Sequence, residues 1–311
     1  MAVIEKYDEH MDTRQIEYAV AVAEELNFTR AAQRVFAVQS TVSVGVRALE
    51  SELGVALFDR DKRGVRITST GEAVLPLLRE FLAAGERIRT AVDPAGGLRG
   101  ELRVGVFAHL GYLDLPSVIG AFHQRHPLVD LRLRPSRGGS SELAEDVRRG
   151  RLDLAFFGLP PSSAPGLETR LIVRSPFVAV LPLGHPLSDA QSVAVQDLSR
   201  ESFVEAPDGF GPRVVLDAAL RGLGVTRVIA TEIGELGAIP AFVEAGLGVA
   251  VIPEIFITDR SAAVSVRPLS HPIDWDFNAV TRPHPSPAAR VLLEAIVSSA
   301  TRRSAAPHTA A

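Results

Sequence analysis

From Asp12 onward the apolar residues fall at helical spacing: Ile16, Ala19, Val20, Ala23 and Leu26 share one face, which predicts an amphipathic helix. Thr29 is a good N-cap residue and predicts a second, shorter helix through the AAQRVF run. A short connection at 37–39 leads to a third helix, TVSVGVRALESEL, with Val42, Val46, Leu49 and Leu53 on one face and Gly54 as its terminator. In VALFDRDKRGVRITST the period changes. Val65 and Ile67 alternate with polar residues around Lys62, Arg63 and Gly64, which predicts a two-stranded hairpin with a basic tip. Ser69 and Glu72 have capping-box spacing and open a long helix to about Val92. Its stripe is Val74, Leu77, Leu78, Phe81, Leu82, Ile88 and Val92, and Pro76 predicts a kink in the first turns. A lone helix with such a stripe needs a partner, so helix-to-helix dimerisation is expected.

The stretch DPAGGLRG at 93–100 is a turn-rich hinge, and beyond it the pattern becomes α/β. Candidate strands at 102–107, 129–134 and 152–158 are separated by helical stretches at about 115–125 and 141–149. A second set follows: strands at 177–182, 202–207, 227–232 and 248–253, with helices at 211–222 and 235–245. Short apolar strands alternating with helices predict a parallel sheet. VRRGRLDLA and VEAGLGVA each end a helix at Gly and enter a strand, a sign that the two halves are alike. A strand near WDFNAVTRP and a helix from PAARVLLEAIVSSA return the chain to the first half. Two such lobes joined by crossover strands enclose a cleft, where α/β folds bind small molecules.

The expected organisation is an extension at 1–11, a module of three helices and a hairpin at 12–68, a linker helix at 69–92, the hinge, an α/β domain at 101–300 and a disordered tail at 301–311. Lobe I takes about 101–171 and 271–300, and lobe II about 172–270. Residues 1–10 show no period, so the native start is Met1 or Met11.

At 311 residues the chain can hold two or three domains, and 46% hydrophobic with 23% charged residues is a globular composition. No apolar run approaches the roughly 18 residues of a membrane span, and the amino terminus lacks a secretory pattern, so a cytoplasmic protein without a membrane partner is expected. The absence of Cys excludes disulfides, thiolate catalysis, Cys-based zinc sites and thiol switches. No metal site is expected. The net charge of −4 argues against indiscriminate nucleic-acid coating. Yet from Thr29 to Arg66 seven basic residues (Arg30, Arg34, Arg47, Arg60, Lys62, Arg63, Arg66) face four acidic ones (Glu50, Glu52, Asp59, Asp61).

Two helices joined by a tight turn favour plain helical packing on geometry alone. The start of the third helix reverses that reading. Gln39, Ser40, Thr41 and Ser43 can bond phosphates or base edges if that end enters the major groove, and Arg47 lies one turn further on. With the basic hairpin on the flanking backbone, the module is a winged helix-turn-helix.

FTRAA, Gln39, Val42-Ser43, Leu49-Glu50, Leu53-Gly54, Leu57-Phe58, Arg60, Arg63, Val65, Thr68 and Gly71-Glu72 together resemble the LysR-type transcriptional regulators. The later chain is similar to that family's effector domain through its two-lobe order and the GLGVA run at 246–250, so the resemblance spans about 12–300. It implies a homotetramer on an interrupted palindrome of double-stranded DNA, with a small molecule in the cleft changing the tetramer's shape; RNA polymerase is a further candidate partner. Candidate DNA contacts are Thr29, Arg30, Gln39, Ser40, Thr41, Ser43, Arg47, Arg60 and Arg63. Each is equally readable as a solvated surface residue.

Two departures matter. The family usually has Ser-Gln-Pro where this chain has Val38-Gln39-Ser40, which removes a capping hydroxyl and leaves Ser40 to take over the cap one turn later. The usual polar pair after Val42-Ser43 is here Val44 and Gly45. Neither reads bases by hydrogen bonding, and Gly45 weakens the helix by about 1 kcal/mol relative to Ala.

Similarity places the effector near Ala108 and His109, near Ser140 and Ser141, and near Pro207 to Phe210. A helix amino terminus with adjacent hydroxyls suits an organic carboxylate. Ser140 reads first as a plain N-cap and second as a ligand contact, whereas His109 and Tyr112 are equally readable as loop residues; Phe107, Phe156 and Phe157 read as core. No other cofactor is expected. An α/β enzyme is the first rival, but GxSxG, HExxH, phosphate-loop and GxGxxG motifs are absent. An exported solute-binding protein is the second, and it would leave the amino-terminal module without a purpose.

Overall fold

The computed structural model describes residues 11–61, 64–92, 97–107, 114–136, 138–257 and 263–305. The chain divides into two compact units, one comprising residues up to Gly100 with Arg148–Arg151, the other the remainder.

The first unit opens with α1 (Thr13–Glu25), where Asp12 accepts the Arg14 N–H at 2.8 Å. The cap of helix α2 (Phe28–Arg34) lies two residues earlier than the sequence predicts. Its N-cap is Asn27, whose Oδ1 accepts the N–H groups of Thr29 and Arg30 at 2.9 and 3.0 Å, so Thr29 is inside the helix. An Asn carbonyl reaches two orphan donors at once, which makes it the stronger cap. Helix α3 (Gln39–Leu53) ends at Gly54 with φ 67°, the left-handed geometry its terminator role requires.

Strands β1 (Phe58–Asp61) and β2 (Gly64–Ile67) form the predicted antiparallel hairpin, with Arg60 opposite Val65. Helix α4 (Ser69–Val92) runs as one helix through Pro76. Its cap is Thr68 rather than Ser69: Thr68 Oγ1 accepts the Gly71 N–H at 2.8 Å and donates to Ala56 O at 2.7 Å. The predicted capping box is thus displaced, because Thr68 ties the helix start to the segment that leads from α3 into β1. The core gathers Ile16, Val22, Val42, Val46, Leu49 and Leu57, all fully buried, each contributing about 1.5–3 kcal/mol.

The α4 stripe splits in two. Leu75 and Leu78 are buried and Val74 and Leu82 pack against the same core, whereas Leu77, Phe81, Ile88 and Val92 are exposed in the single chain.

The second unit contains β3 (Gly100–Val106), α5 (Leu115–Arg125), β4 (Val129–Pro135), α6 (Gly139–Arg148), β5 (Leu154–Phe157), β6 (Glu168–Pro182), β7 (Ser202–Glu205), α7 (Gly211–Gly222), β8 (Val228–Glu232), α8 (Ile239–Glu244), β9 (Ala250–Pro253), β10 (Val264–Pro268), β11 (Asp274–Thr281) and α9 (Pro287–Ala305). A seven-stranded sheet has the order β10-β6-β11-β5-β3-β4, with β9 also on β6. It is mixed, not parallel as the strand–helix alternation predicts. β3 and β5 are parallel, but β11 runs antiparallel to both β5 and β6, and β6 antiparallel to β9 and β10. The long strands β6 and β11 carry the chain out of the first strand set and back, so they must oppose their neighbours. β7 and β8 pair separately in parallel.

The helix predicted at 235–245 is shortened to a 3-10 turn at Leu236–Ala238 followed by α8. Pro240 has no N–H to offer Leu236 O, so the α-helical ladder cannot extend through it. The two Gly-ended helices behave alike: Gly150 before β5 and Gly246 before β9 have φ of 67° and 82°. Phe156 and Phe157 are fully buried, while Phe107 is half-buried. Among the described residues no helix is long and apolar enough to cross a membrane.

Candidate functional site

The amino-terminal end of α3 is open. Val38 takes the N-cap position with extended backbone (φ −83°, ψ 148°) and offers no side-chain bond. Ser40, two residues on, does not take over the cap, because the helix already begins at Gln39 and Ser40 sits inside its first turn. Gln39, Ser40, Thr41, Val44, Arg47 and Ala48 are exposed, and the last five form one stripe at i, i+1, i+4, i+7 and i+8. Opposite them, Val42, Ser43, Val46 and Leu49 are buried.

Ser43 therefore faces inward. Its hydroxyl accepts from Arg60 Nη1 at 3.0 Å, and the Arg60 guanidinium lies 4.0 Å from the centroid of the Phe28 ring. Phe28 in turn meets Phe58 edge-on at 6.2 Å. The hairpin is clipped to α2 by a cation over an aromatic face and to α3 by this hydrogen bond together with Glu50 Oε1, which accepts the Leu57 and Phe58 N–H groups at 2.7 and 3.1 Å. Partial burial first, then the positive charge of Arg47, lower the Arg60 pKa, with Glu50 opposing. Arginine stays protonated regardless, so Arg47 and Arg60 present joint positive charge beside the α3 stripe.

Thr29 and Arg30 are exposed on the first turn of α2. Arg30 donates to Glu25 O and lies 3.3 Å from Glu25 Oε2. Arg63, with Lys62 at the hairpin tip, lies outside the described residues.

Gly45 has a role that sequence reasoning missed. A Cβ added there would lie 2.6 Å from Tyr18 Cδ2, so the buried Tyr18 ring of α1 occupies the space that a side chain would take. The only sequence signal was a glycine within a helical pattern.

In the second unit, three elements converge on Gly158. Ser140, at the start of α6 and 2% exposed, accepts the Gly158 N–H at 3.0 Å. Trp275 of β11 donates its Nε1–H to Gly158 O at 2.7 Å. Gly211 opens α7 so closely that an added Cβ would lie 2.2 Å from Gly158 O. Phe210, the α7 N-cap, and Pro207 are half-buried beside this junction, and the Phe210 N–H bonds Pro207 O at 3.3 Å. Two helix amino termini thus approach one glycine. Ser141 is exposed, and Ala108, His109 and Tyr112 lie outside the described residues.

A resident carboxylate already caps α6. Glu142 Oε2 accepts from Gly138 N at 2.8 Å and from the Ser136 hydroxyl. Ser140 is accordingly not the N-cap of α6; its hydroxyl ties that helix to Gly158. A buried network braces the second helix. Glu205, 2% exposed, pairs with Arg227 at 2.9 Å, and Arg227 also reaches Asp217 at 2.7 Å. Arg213 bonds Asp217 at 3.1 Å and Ala206 O at 2.8 Å. Burial raises the Glu205 pKa above the ordinary carboxylate range and outweighs the attraction of Arg227. Neither Glu142 nor this network was singled out in the sequence, since each depends on partners brought together by folding.

The same division of the chain recurs in known proteins. Residues 13–72 match the profile described as bacterial regulatory helix-turn-helix protein, lysR family, and residues 95–301 match the LysR substrate binding domain. The chain is 40% identical over 202 residues to the HTH-type transcriptional regulator ShiR of Corynebacterium glutamicum, covering 65% of this chain and 68% of that protein. It is 32% identical over 267 residues to the transcriptional dual regulator GltC of Bacillus subtilis, covering 84% and 87%. Among solved structures, a full-length OxyR variant from Pseudomonas aeruginosa is 28% identical with a TM-score of 0.77, over 94% of this chain and 95% of that one. CbnR in complex with its target DNA, at 24% identity and a TM-score of 0.52 over 93% and 99%, shares the fold. With a helix-turn-helix of the lysR type joined to a LysR substrate-binding domain, this chain belongs to the LysR family of DNA-binding transcriptional regulators.

Proposed function

We propose that the chain regulates transcription in the cytoplasm as a homotetramer on an interrupted palindrome, working by binding alone without catalysis. The observation that carries this reading is the exposed α3 stripe of Ser40, Thr41, Val44, Arg47 and Ala48, with the hairpin held beside it by Arg60 and Ser43. In this reading α3 enters the major groove, Gln39, Ser40 and Thr41 meet base edges, and Thr29, Arg30, Arg47 and Arg63 neutralise phosphates. Ser43 and Arg60 shape the contact surface. The exposed face of α4, Leu77, Phe81, Ile88 and Val92, pairs two chains so that two α3 helices reach two half-sites.

The effector in this reading is a small organic carboxylate between the two α/β lobes, close to Ser140, Ser141, Pro207 and Phe210, with Ala108 and His109 on the adjoining loop. The converging amino termini of α6 and α7 support it, because both ends favour negative charge. Effector binding shifts the tetramer between two arrangements on DNA, and RNA polymerase at the promoter reads the difference.

Footprinting of the full chain across the DNA upstream of its own gene tests the proposal. An extended protected region over an interrupted palindrome is expected. Protection that is equal on unrelated DNA would sink it.

A further inference from the structure

Position 44 carries a valine on the face that, in the reading above, looks into the major groove. Val44 is 64% exposed, with Thr41 one turn before it and Arg47 and Ala48 one turn after it on the same stripe. Gly45, its neighbour, contributes no side chain, and the space at that position belongs to Tyr18. Val46 is fully buried. In this central turn Val44 is therefore the side chain offered outward. It has no donor or acceptor, and as a β-branched residue in a helix it is held near one rotamer, so little side-chain freedom remains to be lost on contact.

The chemistry of the groove narrows what such a side chain can recognise. The major-groove edges of guanine, cytosine and adenine present N7, O6, N4 or N6, and only thymine adds an apolar group, its C5-methyl. A valine pressed on any of the polar edges would strip water from a donor or acceptor and return no hydrogen bond, which is unfavourable. Pressed on a thymine methyl it buries apolar surface on both sides.

We infer that Val44 is a specificity-determining residue that reads the C5-methyl group of one thymine in each operator half-site. Position 44 thereby contributes base selection by shape and apolar contact, in place of a hydrogen bond. The inference rests on the placement of α3 in the major groove. Val38 is also exposed, at 66%, but it lies at the N-cap and some 120° around the helix from Val44, so it serves as an internal control.

The test uses the full-length protein and the operator defined by footprinting. Each thymine of the half-sites is replaced in turn by deoxyuridine, which removes the methyl alone, and affinity is measured by fluorescence anisotropy at fixed salt. One symmetry-related position should show a loss of about 3- to 10-fold, the value of one or two buried methyl-sized contacts. In Val44→Ala that penalty should fall to less than about 2-fold while the salt dependence, set by phosphate contacts, stays unchanged. Val38→Ala should retain the full penalty. Circular dichroism establishes that each variant is folded, and an exposed Val→Ala change leaves the core intact. Specific operator binding that is indifferent to every deoxyuridine, or a penalty that survives Val44→Ala, overturns the inference and leaves α3 in the groove. Wild-type protein that cannot tell the operator from random DNA overturns both.

Discussion

Arg60 Nη1 donates to Ser43 Oγ across 3.0 Å, and this bond, beside the Phe58 N–H that Glu50 Oε1 accepts at 3.1 Å, joins the hairpin to the helix whose other side carries the exposed stripe. The guanidinium also lies over the Phe28 ring, which ties the hairpin to α2 as well. Arg60→Ala and Ser43→Ala should each lower operator affinity, and in a double-mutant cycle on stability the pair should couple by about 1 kcal/mol. Additive effects in urea unfolding would mean the clip carries no energy.

Gly45 presents two opposed effects. Ala is better in a helix by about 1 kcal/mol, but its Cβ would meet the buried Tyr18 ring at 2.6 Å. The clash should win, and Gly45→Ala should destabilise the first unit by about 1–3 kcal/mol. Adding Tyr18→Ala should make the second change cost less than it does in the Gly45 protein. A rise in the melting temperature of Gly45→Ala alone would show that the ring moves aside freely.

Gly211→Ala should be more severe, since its Cβ meets a backbone oxygen, Gly158 O, at 2.2 Å and no side-chain rotation relieves it. Trp275 is the chain's one tryptophan and bonds the same oxygen. Its fluorescence therefore reports on this junction. A shifted emission maximum in Gly211→Ala, with a loss of about 2 kcal/mol or more in unfolding, is expected. Unchanged emission and stability would show that α7 does not rely on the close approach.

Burial holds Glu205 at a raised pKa, so the folded protein keeps this proton where the unfolded chain has released it. Folding then takes up a proton, and the stability that Glu205 contributes falls as pH rises from its unfolded pKa through its folded one. Glu205→Gln cannot titrate. The stability gap between wild type and Glu205→Gln should thus be larger at about pH 5 than at about pH 7, measured by urea unfolding. A gap that widens toward neutral pH would mean that Arg227 dominates the site.

The exposed α4 residues Leu77 and Ile88, at 63% and 65%, should lie between two chains. Leu77→Glu with Ile88→Glu should reduce the assembled mass by at least half in analytical ultracentrifugation, with the fold of each unit preserved. A mass equal to that of wild type would move the pairing surface elsewhere.

Periodicity alone made most elements legible. The helical stripe of α3, the glycine that ends it and the hairpin at Val65 and Ile67 follow from local sequence, because helix and strand periods differ and left-handed caps favour glycine. Caps were less legible. The sequence favours Thr29 and Ser69 where the structure uses Asn27 and Thr68, since the four capping residue types are similar in preference and only geometry decides which side chain meets the orphan N–H groups. Strand direction is not legible for the same kind of reason: local patterns mark a strand, but its partners lie across the long returns made by β6 and β11.

The sequence by itself determined the family and the two-part organisation, because each is carried by residue types at short spacing. Tertiary structure decided what individual residues do there. It turned Ser43 from an exposed candidate into the buried partner of Arg60, 17 residues away, and gave the space beside Gly45 to Tyr18. It also brought Ser140, Gly158, Gly211 and Trp275 to one junction. Contacts of that range are set by how helices and strands pack, and no local pattern encodes them.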